Sequence, residues 1–119
     1  MDTLFSAHNQ RHTELIQNAC LFMSQNYQKK LSQNLVAHTV YVSPPYFSKI
    51  FKEATGCSFS QYLNRLRITK AKELLAAPLI KTEDVASMVG YESRSYFGKI
   101  FRRLTGQTPK EYRDSLPTK

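Results

Sequence analysis

The sequence predicts an all-α fold of seven helices. Three observations carry that expectation. Apolar residues recur at spacings of three and four, with no strand-like alternation. Serine and threonine starts and glycine or proline stops recur at helical lengths. One stretch of eleven residues returns fifty positions later.

Residues 1–12 are polar and unpatterned and read as a tail or linker remnant, left by excision from a longer parent chain. A first helix runs from about Thr13 to Tyr27, with Leu15, Ile16, Ala19, Phe22 and Met23 inward. Ser32 caps a short helix carrying Leu35, Val36 and Ala37. Ser43 caps the next, which opens on Pro44 and Pro45, where missing amides cost nothing, and stops at Gly56. Ser58-Phe59-Ser60-Gln61 is a capping box for a long helix that ends near Ala77, before Pro78. Thr82 caps a short helix ending at Gly90, and Ser93 caps one ending at Gly106. Thr108-Pro109-Lys110-Glu111 is a second capping box.

The repeat sets Tyr46-Phe47-Ser48-Lys49-Ile50-Phe51-Lys52-Glu53-Ala54-Thr55-Gly56 against Tyr96-Phe97-Gly98-Lys99-Ile100-Phe101-Arg102-Arg103-Leu104-Thr105-Gly106, with seven of eleven positions identical. Upstream, Val36, Ala37 and Val40 match Val85, Ala86 and Val89 at an offset of 49, so the second copy has one extra residue around Gly90. Each copy is a short helix, a tight turn, and a serine-capped longer helix. That is the layout of a helix-turn-helix with the capped helix in the reading position. The fold class is therefore two helix-turn-helix subdomains, homeodomain-like in their trihelical plan: unit one over 13–57, a linker helix over 58–77, unit two over 78–116.

Periodicity divides each reading helix. Phe47, Ile50, Phe51 and Ala54, and likewise Phe97, Ile100, Phe101 and Leu104, form an apolar stripe that belongs in a core. Opposite lie Pro45, Ser48, Lys49 and Lys52 in one copy, and Ser95, Gly98, Lys99 and Arg102 in the other, with Arg94 and Arg103 at the margins. Small polar residues punctuated by cations suit a major groove about 12 Å wide, with lysine and arginine reaching guanine edges or phosphates. Any exposed helix face can be charged. Here the cations recur at matched positions, Lys49 with Lys99 and Lys52 with Arg102. Tyr46 and Tyr96 sit at the stripe edge, where packing competes with phosphate contact.

The linker helix has two apolar stripes. Phe59, Tyr62, Leu63 and Leu66 face one way; Ile68, Ala71 and Leu75 face nearly the opposite way. One helix would then serve two cores and fix two reading heads. Nineteen residues span ~28 Å, a scale compatible with heads one DNA turn (~34 Å) apart.

Charge narrows the partner class. The net charge is +8, of which +1 lies in residues 1–42 and +7 in residues 43–119. That excess points to a polyanion: DNA, RNA or an anionic membrane. No apolar run approaches the roughly 20 residues of a bilayer span. Met1 to Gln10 lacks a signal-peptide pattern, so a cytoplasmic protein is expected. Cys20 and Cys57 belong to no metal or disulfide pattern and read as small apolar thiols. His8 and His12 could share a helix face but have no third ligand nearby. No nucleophile–base pair, metal cluster or phosphate loop is present, so neither an enzyme nor a cofactor is expected. The alternatives are RNA binding, which would call for a sheet with exposed aromatics, and a helical protein-interaction module, which would lack steep salt dependence.

At this point the residues resemble a family. Leu31-Ser32, Val36-Ala37 and Ser43 through Gly56 look like the first helix-turn-helix of AraC/XylS-type regulators. Arg67-Ile68-Thr69-Lys70-Ala71-Lys72-Glu73-Leu74-Leu75 resembles their linker helix. Val85-Ala86, Val89 through Ser93, Tyr96 through Phe101, Gly106 through Pro109 and Tyr112-Arg113 are similar to their second unit and closing signature. The match covers about residues 13–113. The resemblance implies a monomeric domain with two recognition helices in successive major grooves, sequence-specific binding of double-stranded promoter DNA, and usually activation through RNA polymerase. It implies base readout by Pro45, Ser48 and Lys49 in the first helix, and by Arg94, Ser95, Gly98 and Lys99 in the second. It also implies a sensor domain in many longer parent chains. The second helix, in the most basic stretch, is expected to carry more of the polar specificity.

Overall fold

Local side-chain chemistry sets the helix starts. In the computed structural model, which describes residues 3–117 and the side chains of residues 11–117, the Ser32 hydroxyl accepts from the Leu35 amide at 3.0 Å, Ser43 from Tyr46 at 3.4 Å, and Ser93 from Tyr96 at 3.0 Å. Both capping boxes close. Gln61 Oε1 accepts from the Ser58 amide at 3.0 Å, and Glu111 Oε1 from the Thr108 amide at 2.9 Å. The Thr108 amide is the main reason the Glu111 carboxyl lies below its ordinary range. Gly56 and Gly106 end their helices at φ of 79° and 84°, the left-handed region.

The result is α1 (Thr3–Asn26), α2 (Gln33–Thr39), α3 (Pro44–Thr55), α4 (Phe59–Leu75), α5 (Thr82–Met88), α6 (Arg94–Thr105) and α7 (Pro109–Ser115), with no strand among the described residues. Three expectations need correction. First, α1 begins at Thr3, ten residues before Thr13, because a polar stretch without apolar pattern can still extend a helix already nucleated downstream. Second, Thr82 is the first helical residue of α5, not its cap; Lys81 occupies the cap position, and the Thr82 hydroxyl instead accepts from Arg113 Nη1 at 3.1 Å. Third, Ala54 is exposed and Leu104 is 39% exposed. The apolar stripes leave their cores in the last helical turn, where the chain bends away into the left-handed glycine.

The chain divides into two compact units. The first comprises α1 and Leu31–Leu63. Its buried residues are Ile16, Ala19 and Met23 of α1, Val36 and Ala37 of α2, Phe47, Ile50 and Phe51 of α3, then Cys57, Phe59 and Leu63. Phe47, Phe51 and Phe59 pack with ring centroids 5.3–6.3 Å apart. The neighbouring Cys20 side chain, with burial adding to its effect, pushes the Tyr62 phenol up to about 12. Both cysteines are free, Cys57 buried and Cys20 half-buried.

The second unit comprises Tyr27–Lys30 and the chain from Asn64 on. Its core is Ile68, Ala71 and Leu75 of α4, Val85, Ala86, Val89, Tyr91, and Phe97, Ile100 and Phe101 of α6. So α4 does serve two cores, with Phe59 and Leu63 buried in the first and Ile68, Ala71 and Leu75 in the second; Leu66, which the periodicity sets in the first stripe, falls in the second unit and is only half-buried. Arg113 of α7 ties down the end of α4, donating to the carbonyls of Leu75 at 2.9 Å and Ala77 at 3.1 Å.

Candidate nucleic-acid interface

The two turns that aim the reading helices share hydrogen bonds. Val42 N donates to Ala37 O at 3.1 Å, and Tyr91 N to Ala86 O at 2.9 Å. Tyr41 N donates to His38 O at 3.0 Å, and Gly90 N to Ser87 O at 3.2 Å. The registers therefore match through Tyr91, and the extra residue of the second copy is Glu92. Tyr41 and Gly90 are equivalent and both have positive φ, 64° and 104°. Tyr41 holds that conformation with a side chain 93% exposed. At Gly90 a Cβ would lie 2.6 Å from Tyr27 O and 2.9 Å from Arg67 Nε, so only glycine fits.

Each reading helix buries one face and bares the other. In α3, Phe47, Ile50 and Phe51 are buried while Pro45, Tyr46, Ser48, Lys49 and Lys52 are exposed. In α6, Phe97, Ile100 and Phe101 are buried while Arg94, Ser95, Tyr96, Lys99, Arg102 and Arg103 are exposed, with Gly98 half-buried among them. Within each helix the sequence-predicted residues thus lie off the core.

The flanking tyrosines are braced from outside their helices. Tyr46 Oη pairs with His12 Nε2 of α1 and meets that ring edge-on at 5.7 Å between centroids. Tyr96 packs on Tyr91 at 5.9 Å. Tyr91 in turn donates from Oη to Asn64 Oδ1 at 2.7 Å and lies under the Arg67 guanidinium, 5.3 Å from the ring centroid. Burial pushes the Tyr91 phenol up to about 12 against the pull of Arg67, so it remains a donor. The sequence signals neither brace: His12 and Tyr46 are 34 positions apart and Asn64 and Tyr91 27, and the side chain of His8, the sequence neighbour of His12 on a helix face, lies outside the described ones. Lys110, outside the sequence-predicted set, stands near it. It lines the cleft that holds Arg94 and Gly98, although the sequence assigned it only to a capping box. Among the described residues no His, Cys, Asp and Glu group could hold a metal ion.

Two serine-capped helices with bare cationic faces, each carried on a tight-turned partner helix, define a helix-turn-helix DNA-binding protein. A family model described as a helix-turn-helix domain matches residues 36–115. The uncharacterized HTH-type transcriptional regulator YijO of Escherichia coli is 35% identical over 92 residues, 77% of this chain and 32% of its own length. The lactose operon transcription activator of Staphylococcus xylosus is 34% identical over 89 residues, 75% of this chain and 32% of its own length. Among solved structures, the C-terminal domain of the response regulator AraT from Geobacillus stearothermophilus matches with a TM-score of 0.84 at 29% identity, covering 88% of each chain. An AraC-type transcriptional regulator from Chromobacterium violaceum matches at 0.80 and 26% identity, covering 94% of this chain and 99% of its own. The chain belongs to the AraC/XylS family of transcriptional regulators, to its DNA-binding portion. It spans about a third of the length of these curated relatives. No helix of the described residues is long and apolar enough to cross a membrane.

Proposed function

We propose that this chain binds double-stranded promoter DNA sequence-specifically, with α3 and α6 each entering a major groove, and that it activates transcription. The observation that carries the reading is the repetition of exposed cations at Lys49 and Lys99, and at Lys52 and Arg102, each pair on the face opposite a buried Phe-Ile-Phe set. A merely solvated face has no reason to repeat its cations in register. Activation is supported by the similarity to the Staphylococcus xylosus activator, and contact with RNA polymerase is the matching mechanism. A sensor domain in a longer parent chain accords with the share of its relatives that this chain spans. The described residues form helices and no strand, which gives RNA-stacking aromatics no sheet to sit on there.

Selection from a random duplex pool should return two short half-sites about ten base pairs apart; a single half-site would restrict base reading to one unit. Affinity for the selected duplex should fall steeply with salt, and a flat dependence would remove the phosphate contacts from the picture. On that duplex, Lys99→Ala is expected to cost ~1–3 kcal/mol and relax specificity at one position. Lys52→Ala and Arg102→Ala should weaken all duplexes evenly and lower the salt slope by about one each. An even loss for Lys99→Ala would move that side chain from base to phosphate.

A further inference from the structure

Gly98 has no reason to be glycine that lies within this chain. It stands inside α6, where glycine is less favourable than alanine because it loses more backbone freedom on folding. The three glycines at positive φ are Gly56, Gly90 and Gly106; Gly98 is not among them. A Cβ built at Gly98 would meet nothing within 4 Å, so packing does not demand its absence. The repeat places Ser48 at the same position, so a side chain is compatible with the motif. Beside Gly98 a cleft of about 230 Å³ opens between α5, α6 and α7. Ala86, Phe97 and Pro109 supply apolar lining, and the charged lining is two cations, Arg94 and Lys110, against one carboxylate, Glu83.

We infer that Gly98 is a specificity-determining residue: its bare backbone lets a base pair approach α6 at contact distance, and the apolar cleft beside it takes the C5 methyl group of a thymine. The methyl is the one apolar feature in the major-groove pattern of a base pair, and it is recognised by contact rather than by hydrogen bonds. The cations at the cleft suit the phosphates that accompany such an approach. The inference rests on α6 being a reading helix.

The test is a cycle between the protein and its selected duplex. Gly98→Ala should raise Tm by about 2–6 °C, since it improves the helix and meets no neighbour. It should nevertheless weaken binding to the selected duplex about tenfold or more, with affinity for random duplex unchanged. Replacing each thymine in turn by deoxyuridine should reveal one position where loss of the methyl weakens the parent protein several-fold. At that position deoxyuridine should improve binding by Gly98→Ala, because the two methyl groups compete for one space. Gly98→Ala binding as tightly as the parent would overturn the inference, as would losses that simply multiply. A parent protein without salt-dependent duplex binding would instead overturn the DNA-binding reading itself.

Discussion

Gly90→Ala is expected to destabilise the second unit by about 3–5 kcal/mol, combining backbone strain with forced overpacking. Two costs fall on one methyl group. The backbone there has φ of 104°, which side-chain-bearing residues rarely adopt. The new Cβ would also stand 2.6 Å from Tyr27 O and 2.9 Å from Arg67 Nε. Those two atoms are themselves a hydrogen-bonded pair, 2.8 Å apart, so the methyl group cannot be accommodated without opening that bond. Equilibrium urea unfolding followed by circular dichroism measures the loss, and a loss below about 1 kcal/mol would contradict the packing described. Tyr41→Gly is the matched comparison. Its side chain touches little, and its backbone is left-handed, so relief of strain should make it neutral or stabilising by up to about 1 kcal/mol.

Arg67→Leu should cost about 3 kcal/mol, from leaving partly buried carbonyls without the charged donor that they now share. Arg67 is 8% exposed. It donates from Nε to Tyr27 O and from Nη2 to Lys29 O at 2.9 Å, and its guanidinium covers Tyr91. Burial lowers its pKa from the ordinary arginine value. Leucine fills similar space but leaves two carbonyls without donors. Arg67→Lys keeps the charge but not the fork, and should recover less than half of the loss. Folded Arg67→Leu should bind the selected duplex within about threefold of the parent, since Arg67 is buried. A larger loss of affinity at unchanged Tm would assign this arginine to the DNA surface instead.

Arg67 also marks where sequence reading reached its limit. Capping residues, glycine stops and apolar periods act over three or four positions, so they were readable at Ser43, Ser93, Gly56 and Gly106. The repeat made both reading faces readable, because it compared two helices built for one purpose. Arg67 meets Tyr27 and Lys29 across about forty positions, and nothing local announces such a pairing. His12 and Tyr46 are likewise 34 positions apart. Thr82 misled for a related reason: it has the chemistry of a cap, but Arg113 claims its hydroxyl from a distant helix. The early start of α1 had no signal because its first turns carry no apolar stripe.

The four-residue segment Tyr27–Lys30 belongs to the second unit, although the first unit precedes and follows it in the chain. Interleaving of this kind makes the two heads inseparable by a single cut. A fragment beginning at Asn64 would keep Arg67 and Gly90 but discard both carbonyls that receive the guanidinium. A fragment ending at Leu63 would carry that segment away from its partners. Exchange of one reading head between relatives must therefore transfer two pieces of chain together, and recombination at the middle of α4 would sever a clasp that the motif boundaries do not show.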